Sequence, residues 1–250
     1  MPDFEISPRE ATIEDYLESK GIEPEYEYTT EWWEYPINVA GGLGLNLIWH
    51  EFGHYLVANI VGAEDVEMHF FGGGVCGDSI ACVTHTLGRC RDRLCRNIDL
   101  DRGQLQETLI SAAGVGFTTV ANLGLTALLK NGMVPDWMRS FTATTSLIMM
   151  LDRHQYIWSS AIQHWAGIDN TGSDIENIIT GNFASPKARD AAYGVLFAAS
   201  AIELAFRWEE IWYLMNTAIG KQVEVPEGLG IMPGLYPYGT TLMMGASGTF

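Results

Sequence analysis

The chain has 250 residues and a formal net charge of −17, with only 14 lysines and arginines. So few basic residues exclude a surface built to neutralise nucleic-acid phosphates, and the length suits one large domain rather than two. Hydrophobic residues make up 47% and charged residues 18%, with a mean hydropathy of +0.05, high for an acidic soluble protein and modest for a polytopic membrane protein.

Residues 1–36 form an acidic arm in which eleven acids, from Asp3 to Glu34, stand against Arg9 and Lys20, a balance of −9. Such an arm reads as solvated, and it lacks the basic start and apolar core of a cleavable secretory signal. The apolar run Ile37 to Gly62 follows, long enough to span a bilayer and interrupted by His50-Glu51-Phe52-Gly53-His54. The texture then changes over residues 63–104. Val66 to Val83, with Gly72-Gly73-Gly74, Gly77 and alternating apolar residues, predicts a short β-hairpin or sheet. The same loop carries Arg89, Arg91, Arg93, Arg96 and Arg102, which by their effect on helix orientation predict a cytoplasmic position.

All four cysteines, Cys76, Cys82, Cys90 and Cys95, fall in this loop. A cytoplasmic loop keeps them reduced, and an external one allows two disulfides in any of three pairings. A structural zinc site drawing on these cysteines or His85 is a third reading, although no Cys-x-x-Cys pair is present.

Thr108 to Leu129 holds no charged residue and is the clearest membrane span. Two further candidates are Ser140 to about Ile168, broken by Asp152 and Arg153, and Ala191 to Gly220, broken by Glu203, Arg207, Glu209 and Glu210. Trp32, Trp33, Trp137, Trp208 and Trp212 fall near the proposed helix ends, as in an aromatic belt. Gly41, Gly42 and Gly44 on the first helix, with Gly114 and Gly116 on the second, suit close approach of the two. The Gly- and Pro-rich residues 221–250 read as an irregular tail. The expected fold is therefore mainly α: a polytopic membrane bundle of about four helices over 37–220, with a small β-hairpin or sheet after the first.

The His-Glu-x-x-His spacing has a chemical reason. Residues four apart share one helix face, so His50 and His54 can offer two imidazoles to one metal while Glu51 faces the same cavity. Zinc suits such a site, with three protein ligands and a fourth position for water, whose pKa it lowers to about 7. Glu51 is then the general base that takes the proton of that water and passes it to the leaving amine. A metzincin pattern is excluded, because Val57 and Ile60 stand where it needs glycine and histidine.

The order of these features resembles the site-2 protease family of intramembrane zinc metalloproteases. Ile48-Trp49-His50-Glu51-Phe52-Gly53-His54-Tyr55-Leu56 is similar to the family's first motif. Ser111-Ala112-Ala113-Gly114-Val115, with Asn122 downstream, is similar to its second, with Val115 in place of the usual proline. The resemblance spans about residues 37–180. It implies one Zn2+ per chain, an aspartate as third ligand, hydrolysis of peptide bonds in membrane-anchored proteins, and a lipid bilayer as the surroundings.

For the third ligand the nearest copy of the family's Leu-Asp-Gly is Leu151-Asp152-Arg153, and a second candidate is Gly172-Ser173-Asp174-Ile175. Asp174 is favoured because it opens an apolar-periodic stretch and sits at a helix start, whereas Asp152 has an adjacent arginine. Asp169 is a candidate acceptor for a ligating imidazole, Asn46 one for orienting His50, and Asn122 one for the oxyanion. His154 and His164, beside tryptophans, read as packed. Two other readings are a different metallopeptidase class with Glu203 as third ligand, and a membrane scaffold without catalysis.

Overall fold

A computed structural model describes residues 30–71, 75–76, 80–87, 102–168, 173–221, 236–238 and 241–243. The acidic arm up to residue 29, the triple glycine, Arg89 to Arg96, Cys90, Cys95, Asp169 and most of the tail lie outside the described residues. The first apolar run forms α1, Glu34–Ile60, followed by an antiparallel hairpin of β1, Glu64–Phe70, and β2, Ala81–Thr86, with His69 opposite Cys82. Helices α2, Arg102–Lys130, and α3, Asp136–Ala166, correspond to the second and third apolar stretches. Gly167, at φ 66°, ends α3 in a left-handed cap that glycine adopts without strain.

The remainder departs from the sequence-based expectation in two places. A short α4, Asp174–Asn182, precedes α5, Pro186–Phe206, and α6, Trp208–Ala218. The fourth expected span is therefore two helices. The chain breaks at Arg207, whose guanidinium turns inward to Glu210, Glu203 and Asn122. α5 starts where Ser185 Oγ accepts from the Ala188 amide at 3.2 Å ahead of Pro186, a capped start with proline in the first turn. The tail, expected to be irregular, contains a second hairpin of β3, Tyr236–Tyr238, and β4, Thr241–Met243.

The packing buries many polar side chains and leaves many large apolar ones exposed. On α1 the buried Asn38, Gly42, Asn46, His54 and Ala58 lie at multiples of four residues on one face, while Ile37, Leu43, Leu45 and Ile48 are exposed. Thr126 and Ser146 are 0% exposed, yet Val120 and Val195 are 67% and 68% exposed. The inward polar groups bond across helices: Asn38 Nδ2 donates to Ser140 Oγ at 3.0 Å, Asn46 Nδ2 to Asp152 Oδ2 at 2.9 Å, and Asn122 Nδ2 to the Ser146 carbonyl at 2.8 Å. Two apolar clusters complete the interior, one joining Leu129, Met150 and Leu214, the other Ala161, Ile175, Ile179 and Tyr193.

Of the glycines the sequence suggested for close helix approach, Gly114 does sit against α1, since a Cβ there would strike the imidazoles of His50 and His54, whereas Gly44 and Gly116 meet nothing within 4 Å among the described residues. Gly41 and Gly42 face α3, where a Cβ at position 42 would lie 3.2 Å from the Thr145 backbone. α1 also meets α2 at Gly53, where a Cβ would lie 2.6 Å from the Ala113 carbonyl oxygen. Among the described residues one helix, Gly103–Lys130, is long and apolar enough to cross a membrane.

Cys76 and Cys82 are joined in a disulfide that ties β2 to Cys76 in the segment between the two strands. With both sulfurs in that bond, neither supplies a thiolate, so the structural zinc reading loses two of its ligands, and His85 Nε2 is taken by Glu107 at 3.1 Å. Peptide mapping after alkylation without reductant is expected to recover Cys76 and Cys82 linked and unlabelled. Free-thiol labelling of both under those conditions would refute the disulfide.

Candidate metal centre

α1 supplies His50 and His54 one turn apart, and the first residue of α4 supplies Asp174. Nε2 of each histidine lies 3.1 Å from Asp174 Oδ2, and one ligand atom from each of the three residues falls within 4.8 Å of the others. Two N or O ligands at about 2.0–2.1 Å from a tetrahedral zinc are themselves about 3.3 Å apart, which the two histidine–Asp174 separations of 3.1 Å approach. The tautomer also fits. His54 Nδ1–H donates to the Ile110 carbonyl of α2 at 2.7 Å, which fixes the ring and leaves Nε2 free to coordinate.

The space for an ion is kept by Gly114. A Cβ there would lie 2.6 Å from His50 Nε2 and closer still to His54 Nε2. This gives the Ala113-Gly114 pair of α2 a physical role: Ala113 takes the Gly53 contact, and Gly114 opens the wall opposite the imidazoles. His50, His54, Asp174 and the buried Glu51 border one cavity of about 220 Å3.

The rest of the cavity wall brings in residues that the sequence reading did not assign to the site. Tyr156 of α3 sets its ring edge-on to His50, with centroids 6.1 Å apart, and its hydroxyl accepts from the Asp174 amide at 2.8 Å. β2 contributes His85, α2 contributes Glu107 and Ser111, and α4 contributes Asn177. Their spacing carried a signal: Glu107, Ser111 and Gly114 follow one another at four and three residues on α2, and Asn177 follows Asp174 at three on α4. Tyr156 had no such signal, because its partner is backbone on another element.

The other candidates lie elsewhere. Asp152 accepts from Asn46, so it is neither at the imidazoles nor paired with its neighbour Arg153, which turns to Glu203. Glu203 is held by Arg153 and Arg207, and it is not among the groups close to His50 and His54. Asn122 gives its amide hydrogens to Ser146, and its oxygen accepts from Arg207 Nη2 at 3.0 Å, so the oxyanion role expected of it has no donor to draw on. His154 Nδ1 bonds Ser200 Oγ at 2.6 Å, and His164 Nε2 bonds Asp190 at 2.9 Å.

Comparison of the chain with protein-family models, curated proteins and solved structures gave no match.

Proposed function

We propose that this chain is a zinc-dependent endopeptidase embedded in a membrane, hydrolysing peptide bonds of membrane-anchored proteins. The observation that carries the reading is the convergence of His50, His54 and Asp174 from two elements onto one ion-sized space, beside a buried glutamate on the same cavity. Zinc bound there supplies a Lewis acid that polarises a carbonyl and acidifies water to ionise near neutral pH. Glu51 takes the proton from the attacking water and delivers it to the leaving amine. Ile110 holds His54 in the coordinating tautomer, and Gly114 keeps the space open.

The membrane part of the reading is supported by the inverted packing. Ionisable and amide groups turned inward and large apolar side chains turned outward are what lipid favours, and α1, α2, α3 and α5 are the elements proposed to lie within it. A substrate helix there must unwind locally before its peptide bond can reach Glu51, since helical hydrogen bonds protect the backbone in lipid. The arginines before α2 favour a cytoplasmic 63–104 loop, while the Cys76–Cys82 bond favours an oxidising compartment. Labelling Cys76 and Cys82 with an impermeant maleimide after reduction, in vesicles of known orientation, assigns the side.

Zinc measured by mass spectrometry on detergent-purified protein is expected near one ion per chain. Asp174→Ala should lower affinity by about a hundredfold or more, beyond the effect of removing a group that only supports a ligand. Glu203→Ala should leave metal content unchanged, and the reverse pattern would transfer the third ligand to Glu203. Wild-type protein free of zinc after chelator-free preparation would overturn the metalloenzyme reading.

A further inference from the structure

The third ligand stands on a nine-residue helix, and the way that helix is tied down has a direct bearing on the metal. Helices this short are marginal in isolation, so the position of the Asp174 carboxylate depends on outside contacts. The residue before it, Ser173, occupies the cap position, but among the described residues its side chain accepts no capping hydrogen bond. The cap comes instead from α3. Tyr156 Oη accepts the Asp174 amide at 2.8 Å, and Ser160 Oγ, four residues further along α3, lies 2.9 Å from Ser173 Oγ. Residues four apart share a helix face, so Tyr156 and Ser160 grip two consecutive residues of the α4 start.

We infer that Tyr156 and Ser160 form a latch that sets the Asp174 carboxylate against His50 and His54, which makes Tyr156 a positioning residue of the metal site. The inference rests on the zinc reading above. The latch acts on the backbone of the ligand rather than on its carboxylate. Losing it therefore keeps all three ligands and lets one of them drift. Because the phenol ring also packs edge-on to His50, Tyr156 touches both halves of the site, one on α1 and one on α4.

The test is chelator competition for zinc and the visible spectrum of the Co2+ form, on wild type, Tyr156→Phe, Ser160→Ala and Tyr213→Phe. The last removes a phenol hydroxyl that, among the described residues, is buried without a partner, and so it controls for the chemical change alone. Tyr156→Phe is expected to weaken zinc binding by about ten- to a hundredfold, as loss of a supporting hydrogen bond does, with altered Co2+ bands. Ser160→Ala should shift both readouts in the same direction by a smaller factor, and Tyr213→Phe should match wild type. Tyr156→Phe and Ser160→Ala both within twofold of wild type with unchanged Co2+ bands would overturn the latch while leaving the metal site standing. Equal losses in Tyr156→Phe and Tyr213→Phe would overturn it as well. Absence of metal binding in wild type would overturn the site reading and the latch together.

Discussion

Replacing Gly114 with alanine is expected to empty the metal site although all three candidate ligand residues are retained. The added carbon would lie 2.6 Å from His50 Nε2 and nearer to His54 Nε2, within the space through which both imidazoles reach an ion. The α2 backbone has little room to retreat. It is held against α1 where Gly53 meets the Ala113 carbonyl, and Ile110 and Phe117 on the same helix bond His54 and Trp49. Zinc affinity should fall by at least about a hundredfold, more than removal of a supporting hydrogen bond costs, with helix content by circular dichroism unchanged. Gly116→Ala is the matched control, since a Cβ there meets nothing within 4 Å among the described residues, and alanine improves helix propensity. Full zinc occupancy in Gly114→Ala would mean that the ion does not sit between these imidazoles.

Glu51→Gln is expected to keep the zinc and lose the reaction. Glutamine preserves the shape and burial of the side chain but cannot accept and return a proton. General acid–base groups contribute about 10²- to 10⁴-fold to rate, which corresponds to about 3–5 kcal/mol of barrier. The comparison to make is single-turnover cleavage of a membrane-anchored reporter in proteoliposomes, alongside zinc content. Cleavage at the wild-type level in the Glu51→Gln variant would remove Glu51 as the base, whereas normal cellular function with no cleavage by either form would favour the scaffold reading.

The sequence makes the histidine pair legible because both ligands sit on one helix and depend only on its pitch. Asp174 is legible for a related reason: a polar residue that opens an apolar-periodic stretch marks a helix start. The helices themselves follow from apolar runs, with one failure at Arg207. There the outcome depends on where a guanidinium finds its acceptors, and those include Asn122 on α2, distant in sequence, as well as Glu210 on α6. The same limit hides the role of Asn122, whose partners are Ser146 and Arg207, and of Tyr156, whose partner is a backbone amide eighteen residues away. The cysteine pairing is hidden too, since four cysteines allow three arrangements and spacing does not select among them.

The hydrogen bonds between the helices have a further effect on how these segments find one another. A bundle filled only with leucine can slide by one helical turn, about 5.4 Å, and trade one set of contacts for a similar set. Here such a slip of α1 would undo Asn38 with Ser140, Asn46 with Asp152 and Trp49 with the Phe117 carbonyl at once. In the proposed bilayer, which offers no water as a substitute partner, each broken pair is penalised. The interior amides and hydroxyls thus work as an address, admitting one alignment of α1 on its neighbours. A centre assembled from separate helices has its ligands within reach of one ion only in that alignment.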